Sequence, residues 1–437
     1  MARASAQPMK ATNAAHQLSA TDASKALADG KLTCEALAAA CLEHIAAREG
    51  EVQAWACIDP AQALAAARAL DKLPRRSRIH GIPVGIKDVI DTHDMPTEYG
   101  SPIYKGNAPP CDAACVAQIR ELGGLILGKT VSTEFATRHP NKTLNPLNPL
   151  RSPGGSSSGS AAAVADFMVP VALGTQTSSS IIRPAAYCGV VGFKPSFGLI
   201  NRAGLKFLSE SLDTIGILAR TVPDAALMLE ELTGLPPTPF GNSGNPRPRV
   251  GLCRTAWWSE ADDATRENLE RAARALAAAG AQVSELVLDA GFDELNRVQI
   301  EISSYEFFRA LSFERTRHPE LISPSLTSRI AAGGKITRGQ YAAGCAAAER
   351  GRARIADVFR DYDVLLAPSA CGEAPTVDIT GDPTFGLLWT LLRLPCLTIP
   401  FGSGPLGLPL GVQLVAASGN DQSLLTHAEW SRQVLQN

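Results

Sequence analysis

Between Val250 and Leu288 the chain reads strand, helix, strand, and this unit limits the available folds more than any other feature of the sequence. Val250–Cys253 is a short apolar run. Ala264–Ala279 is an Ala-rich amphipathic stretch closed by Gly280, and Val283–Leu288 is a second apolar run. Two strands joined through a helix lie parallel, and a parallel sheet must be covered by helices on its faces. The same texture recurs upstream. The opening third is Ala-rich, with a helix capped by Thr21 and Asp22 and ended near Ala28 by Gly30, a second from Thr33 to Arg48 and a third after Pro60. His80–Val89 then reads as a strand and a turn. Cys115–Leu122 reads as a helix before the strand Leu125–Leu127, and Ala161–Asp166 as a helix before the strand Val169–Leu173. Val364–Ala367, Cys396–Ile399 and the run from Gly411 are late strands, and the Pro- and Gly-rich stretch Leu235–Arg249 is a loop between halves. The prediction for 437 residues is one large α/β domain: a mixed, twisted β-sheet covered by helices on both faces. Its parts are a helical 1–70, a central 75–235 and a later 250–437.

Charge excludes some partners. The 41 basic and 43 acidic side chains give a formal net charge of −2, which offers no attraction for nucleic acid or an anionic membrane. The longest apolar stretch, Leu387 to Phe401, is broken by Arg393 and two prolines and falls short of the roughly 18 residues a membrane helix needs. The first residues hold no apolar run of signal-peptide type, so a cytoplasmic protein is expected. Cys111 and Cys115 have no second pair, and the histidines are scattered, so neither a metal nor another cofactor is predicted.

Two familiar patterns fail on context. Gly123–Thr130 (GGLILGKT) fits the phosphate-loop spacing, but its middle is a strand rather than an open loop, which makes Lys129 a packing residue. Gly155–Gly159 (GSSSG) fits the nucleophile elbow around Ser157, yet no His with the matching loop context follows. What remains is a pair of Ser-rich polar segments, Ser152–Ser160 and Thr175–Ser180, on either side of one helix and strand. Residue chemistry alone leaves them as surface turns or as two loops of a site.

A wider pattern bears on that choice. PGGSSSGSAAAVADFMVPVALGTQTSSSIIRPAAYCGVVGFKPSFGLI, from Pro153 to Ile200, closely resembles the amidase signature, and GIPVGIKDVID from Gly81 to Asp91 resembles the lysine segment of that family. LGKTVSTEFA from Leu127, SLDTIGILARTVPDAALML from Ser211 and GLPLGVQLVA from Gly407 resemble further blocks in the same order. The resemblance implies an amidohydrolase. By position, Lys87 is its base, Ser156 the bridging serine after a cis peptide bond, and Ser180 the nucleophile. Backbone N–H groups of Thr177, Ser178, Ser179 and Ser180 would form the oxyanion hole. A lysine serves as base only when neutral, and burial away from carboxylates is what lowers its pKa. An ion pair between Lys87 and Asp91 on the surface is the competing reading.

The sequence departs from the family pattern in two places. Ser178 and Ser179 precede the nucleophile where the family has small residues, the second nearly always Gly. A side chain at Ser179 would strain the loop, narrow the pocket or donate a hydrogen bond. Gln176 and Arg183 stand where many members carry Asp four before the nucleophile and Arg two after, and these two changes are read as coupled. The expected substrate is a small amide, with carbamates and esters in range, taken by a monomer or homodimer. Its pocket is expected from residues 95–104, 135–141 and 298–342 and around Trp389. Tyr99, Phe135, Ser179, Tyr305 and Trp389 would line it for an apolar or aryl group. The alternatives are the glutaminase subunit of a tRNA-dependent amidotransferase and a non-catalytic protein on the same fold.

Overall fold

The computed structural model describes residues 14–240 and 247–436. Residues 1–13, and the stretch 241–246 of the predicted loop, lie outside the described residues. Among the described residues there are eleven strands: β1 (Trp55–Ile58), β2 (Pro83–Lys87), β3 (Leu125–Thr130), β4 (Val171–Gln176), β5 (Val191–Lys194), β6 (Thr214–Ala219), β7 (Arg249–Cys253), β8 (Gln282–Leu286), β9 (Val364–Pro368), β10 (Cys396–Ser403) and β11 (Pro409–Val415). They form one mixed sheet in the order β1-β3-β2-β4-β6-β5-β10-β11-β9-β7-β8, covered by helices on both faces. The opening strand–helix–strand unit is present: β7 and β8 pair in parallel, joined by the helix Asp263–Ala278 with Asp262 as its N-cap.

The centre of the sheet explains why its strands read as apolar runs without alternation. β2 pairs in parallel with β3 on one side and β4 on the other, and β4 then pairs antiparallel with β6. Every residue of β2, β3, β4 and β6 is buried, as expected of strands covered on both faces. Lys129 sits in β3, fully buried, with Nζ donating to Ile90 O and, at 2.6 Å, to Thr97 Oγ1. It is a strand residue and cradles no phosphate.

Three boundaries differ from expectation, each for a local reason. β4 runs on through Thr175 and Gln176 because its ladder with β6 continues to Thr175↔Ile215 and Gln176↔Thr214. The helix expected at Ala161 starts at Ser158. Its serines turn inward and hydrogen-bond the sheet, Ser160 Oγ to Leu173 O at 3.0 Å and Ser158 Oγ to Val131 O at 3.4 Å. The first helix is capped by Ser19, which accepts from Asp22 N, while Thr21 reaches across to Asp224. The apolar stretch Leu387–Phe401 divides between the buried helix Thr384–Leu391 and β10. No helix among the described residues is long and apolar enough to cross a membrane.

Candidate active site

The site lies at the C-terminal ends of the parallel pair β2 and β4, where open α/β sheets place their ligands. Lys87 is the last residue of β2 and Thr175 the fifth of β4. The Lys87 side chain is fully buried, and its Nζ donates to Ser156 Oγ and to Thr175 Oγ1, each at 2.8 Å. Among the described residues no carboxylate pairs with it. Asp91 instead accepts from the Tyr99 hydroxyl, and Asp88 from the N–H groups of Glu98 and Gly100. The surface ion pair with Asp91 is therefore excluded. Burial drives the Lys87 ammonium well below its ordinary pKa, opposed only by the charge of Asp213. Two hydroxyls as hydrogen-bond partners and no carboxylate in contact are conditions that favour a neutral amine.

Ser156 follows a cis peptide bond from Gly155. Gly154 takes φ +79°, and a Cβ there would come within 2.9 Å of Pro184 Cα and of the Tyr187 ring. Arg183 clamps this turn: its Nη2 donates to Gly155 O at 2.6 Å and its Nη1 to Gly381 O at 2.7 Å. Gln176 serves a different end. Its Oε1 accepts from Ile181 N and Ile182 N, and its Nε2 donates to Thr390 Oγ1. Gln176 and Arg183 share no hydrogen bond, so the expected coupling of these two positions is not direct. Ser157 bridges the backbone of Thr175, donating to its carbonyl and accepting from its N–H, both at 3.2 Å. That engagement removes it as an elbow nucleophile.

Ser180 closes the loop that leaves β4. Its side chain makes no hydrogen bond within the described residues, its residue is 7% exposed, and its Oγ is not among the sealed, partnerless side-chain atoms. The hydroxyl is therefore not sealed off from solvent. The N–H groups of Thr177, Ser178, Ser179 and Ser180 likewise find no acceptor among the described residues. Unpaired N–H groups beside a free hydroxyl are what a developing oxyanion requires. The loop is stitched from three sides: Thr177 Oγ1 donates to Asp213, Gln299 Nε2 donates to Thr177 O at 2.8 Å, and Thr390 Oγ1 donates to Ser178 O at 2.8 Å. Asp213 also accepts from Leu208 N and Ser209 N, and burial lifts its carboxyl to about 6.

Ser179 resolves differently from the expectations placed on it. Its φ is not positive, and its side chain packs against Gly386. A Cβ on Gly386 would stand 2.5 Å from Ser179 Cβ and 2.6 Å from its Oγ. The space a glycine at 179 would leave is given up instead by a glycine at 386.

The expected aromatic lining is not what surrounds the nucleophile loop. Tyr99, Phe135 and Tyr305 are buried at 8%, 1% and 6% exposure and Trp389 at 1%. Tyr99 and Phe135 both pack edge-on against Tyr104, and Tyr305 stacks on Tyr341 at 4.2 Å. Trp389 belongs to the interior cluster that includes Ile302 and Leu391. Large rings gain more from full burial than from a wet wall. A cleft of about 460 Å³ adjoins the loop at Ser178, and its wall includes Arg138, Ile300, Ser304, Arg329 and Leu387. Its residues come from the segments expected, 135–141 and 298–342 and the neighbourhood of Trp389, but through other side chains. Sequence reasoning gave no role to Thr175, Asp213, Gln299 or Gly386, although Thr175 opens the Ser-rich segment, Asp213 lies in the block from Ser211 and Gln299 in the expected pocket segment; their partners are elsewhere in the chain. His93, Asp94 and Asp112 come within ligating reach of one another, but Arg120 already pairs with both carboxylates.

Known proteins of the same fold and family are readily found. The amidase family profile matches residues 36–425. The chain is 34% identical to a glutamyl-tRNA(Gln) amidotransferase subunit from Roseiflexus castenholzii over 94% of each chain. It is 33% identical to the corresponding subunit from Chloroflexus aggregans, over 94% of this chain and 95% of the relative. Among solved structures, an amidase superposes with a TM-score of 0.88 at 31% identity, covering 96% of this chain and 100% of that one. The native peptide amidase of Stenotrophomonas maltophilia superposes with a TM-score of 0.82 at 27% identity, covering 97% and 98%. The chain belongs to the amidase family, hydrolases of carbon–nitrogen bonds.

Proposed function

We propose that the chain hydrolyses small amides through an acyl-enzyme on Ser180, with Ser156 and Lys87 as its proton relay. The observation that carries this reading is Lys87, sealed in the protein between Ser156 and Thr175 with no acid beside it. Neutral Lys87 takes the Ser156 proton, and Ser156 takes that of Ser180 once rotation of the free Ser180 side chain closes the last hydrogen bond. Ser180 Oγ attacks the carbonyl carbon, and the negative charge on the carbonyl oxygen meets the N–H groups of residues 177–180. The proton returns through Ser156 to the leaving nitrogen, and the C–N bond breaks with release of an amine. Water, deprotonated by the same relay, attacks the ester carbonyl and frees the acid and Ser180. Return of the proton matters because an amine leaves poorly until protonated, so carbamates and esters, with better leaving groups, fall within range of the same machinery.

A fluorophosphonate probe tests the reading. Labelling of Ser180, lost in Ser180→Ala, together with ammonia or amine release from simple amides, supports it. Unchanged turnover in Ser180→Ala refutes it. The amidotransferase subunits among the relatives support a second reading, the glutaminase subunit of a tRNA-dependent amidotransferase. The two separate on whether the chain alone cleaves simple amides or requires partner subunits. The small-molecule reading takes the chain to act as a monomer or homodimer, in the cytoplasm, without nucleic acid, membrane, metal or cofactor.

A further inference from the structure

Two short helices start beside the relay and end together at a second opening. Ser158–Ala165 begins two residues after Ser156, and Ile182–Cys188 begins two residues after Ser180. At 1.5 Å per residue each is about 10–12 Å long, and the two pack on each other. Val164, Ala165 and Cys188 at their far ends line a groove of about 560 Å³ that shares no residue with the cleft at Ser178. That volume lies within the range of small-molecule sites, about 300–1,000 Å³. Cys188 also ties the groove to the relay: its Sγ donates to Pro153 O at 3.5 Å, three residues before Ser156.

Most of the wall is apolar, with Val190, Phe401 and Leu435 among its members. Leu147 and Phe167, on the same wall, are 51% and 40% exposed. Phe167 follows the C-cap Asp166 with φ +59°, in the left-handed position that glycine usually fills. A bulky side chain in that region is strained. The chain thus accepts strain and leaves a phenyl ring wet at one point, and an apolar ligand laid against the ring offsets both.

Arg220 is the one charged side chain on the wall among the described residues. Its Nη1 donates to Val169 O at 2.8 Å and its Nη2 to Leu18 O, and its Cζ stands 5.1 Å from the centre of the Phe167 ring. Burial lowers its guanidinium pKa, opposed by the charge of Asp224, whose carboxylate is itself engaged by the N–H and hydroxyl of Thr21. The Arg220 Nε donates to no group among the described residues and is not sealed off from solvent. The two helix ends bring partial negative charge. Met168 N and Val190 N take up part of it by donating to Ala163 O and Ala185 O, so the full charge of Arg220 sets the sign. An arginine with a donor to spare beside an apolar groove matches a carboxylate on an apolar body.

We propose that this groove is a second binding site, for a monocarboxylate with an apolar body of about six to ten carbons, and that its occupancy adjusts the nucleophile loop through the two helices. The site stands apart from the amidase reading, and only its coupling to Ser180 rests on that reading. Carboxylic acids are what the proposed reaction releases, so the products of apolar amides belong to this class.

Octanoate is the probe, titrated by calorimetry into the full chain. One saturable site is expected, tightening about two- to fourfold per methylene from hexanoate to decanoate and at least about tenfold weaker for octanol, which lacks the charge. Leu147→Glu, which sets a like charge on the wall, and Arg220→Gln should each weaken octanoate at least about tenfold. Circular dichroism and thermal melts check folding, and the half-exposed Leu147 keeps the comparison decisive where Arg220→Gln fails to fold. Saturating octanoate should change the rate of fluorophosphonate labelling of Ser180 at least about twofold in the wild type and not in Leu147→Glu. Absence of saturable binding, equal binding of octanol, or binding unchanged in the folded variants overturns the site. Binding with an unchanged labelling rate overturns the coupling. If Ser180 does not label at all, the amidase reading fails, and calorimetry still decides the site.

Discussion

The contact between Ser179 and Gly386 yields the sharpest test of how the nucleophile loop is held. Gly386 lies inside the helix Thr384–Leu391. On an unconstrained helix Gly→Ala would stabilise by about 0.5–1 kcal/mol. Here the new Cβ would stand 2.5 Å from Ser179 Cβ, 2.6 Å from Ser179 Oγ and 2.7 Å from Ser178 O, against an ordinary contact of about 3.5–4.0 Å. Overpacking of this kind costs about 1–3 kcal/mol, so the clash should win and Gly386→Ala should be destabilising. The displaced atoms belong to the two residues before Ser180, so kcat should fall more than KM rises. Ser179→Gly removes two of the three close atoms, at a cost of about 0.4–1 kcal/mol in loop entropy. In Ser179→Gly/Gly386→Ala only the Ser178 carbonyl still objects, and the pair should recover about 1 kcal/mol relative to the sum of the single changes, a part of the overpacking cost. Denaturant unfolding midpoints of the four proteins, with kcat for each, form the cycle. Additivity within about 0.5 kcal/mol, or a stabilised Gly386→Ala of normal activity, would refute the account of this loop.

Other perturbations follow from the same geometry. Lys87→Met should cut amide turnover at least about 10²- to 10⁴-fold. Because burial depresses the Lys87 ammonium, the folded chain loses that proton at lower pH than the unfolded chain. Wild-type stability should therefore rise with pH up to about 10.4, and urea melts of Lys87→Met should lack that component. Asp213 has the opposite sign: with its carboxyl at about 6, the folded chain keeps a proton between about pH 4 and 6 that the unfolded chain has released, so stability falls as pH rises through that window, by about 3 kcal/mol. Asp213→Asn should remove the fall and, by deleting the charge that favours protonated Lys87, shift the rising limb of the kcat/KM profile to lower pH. Ser157→Ala should destabilise by about 1 kcal/mol for its lost hydrogen bonds while retaining activity within tenfold; abolished labelling of Ser180 in this variant would contradict its role as a backbone bridge.

Much of the sheet is legible directly because a strand buried on both faces is a continuous apolar run, and β2, β3, β7 and β9 are of that kind. β1 and β6 are not, the first because Trp55–Ile58 is too short to show a period, the second because its small residues sit inside a block that stands out for its resemblance rather than its pattern. The positions of Lys87, Ser156 and Ser180 are legible because they occur in an ordered series of local blocks. Their surroundings are not. Thr175 reaches Lys87 from the neighbouring strand, Gln299 reaches Thr177 across 122 positions, and Gly386 marks the space of Ser179, contacts that no local pattern encodes. The aromatic residues mislead for a physical reason. A ring rewards complete burial, so Phe135 and Trp389 go inward, and the wetted wall falls to Arg138, Arg329 and serines, which composition does not single out.

Gln299 joins two layers of the molecule that otherwise have separate origins. The groups of the proposed relay sit on β2 and the loops that follow β3 and β4, rooted in the sheet. Most of the cleft wall comes from two helices that pack on each other, Leu295–Ala310 and Pro324–Gly334. Gln299, on the first of these helices, is a direct stitch from that outer layer to the backbone of Thr177. Reaction and recognition are thus nearly modular. A transplanted 295–334 segment that keeps glutamine at 299 would exchange one clientele of amides for another while the relay beneath it stayed in register, and the same segment without that glutamine would unfasten the oxyanion loop along with the old preference.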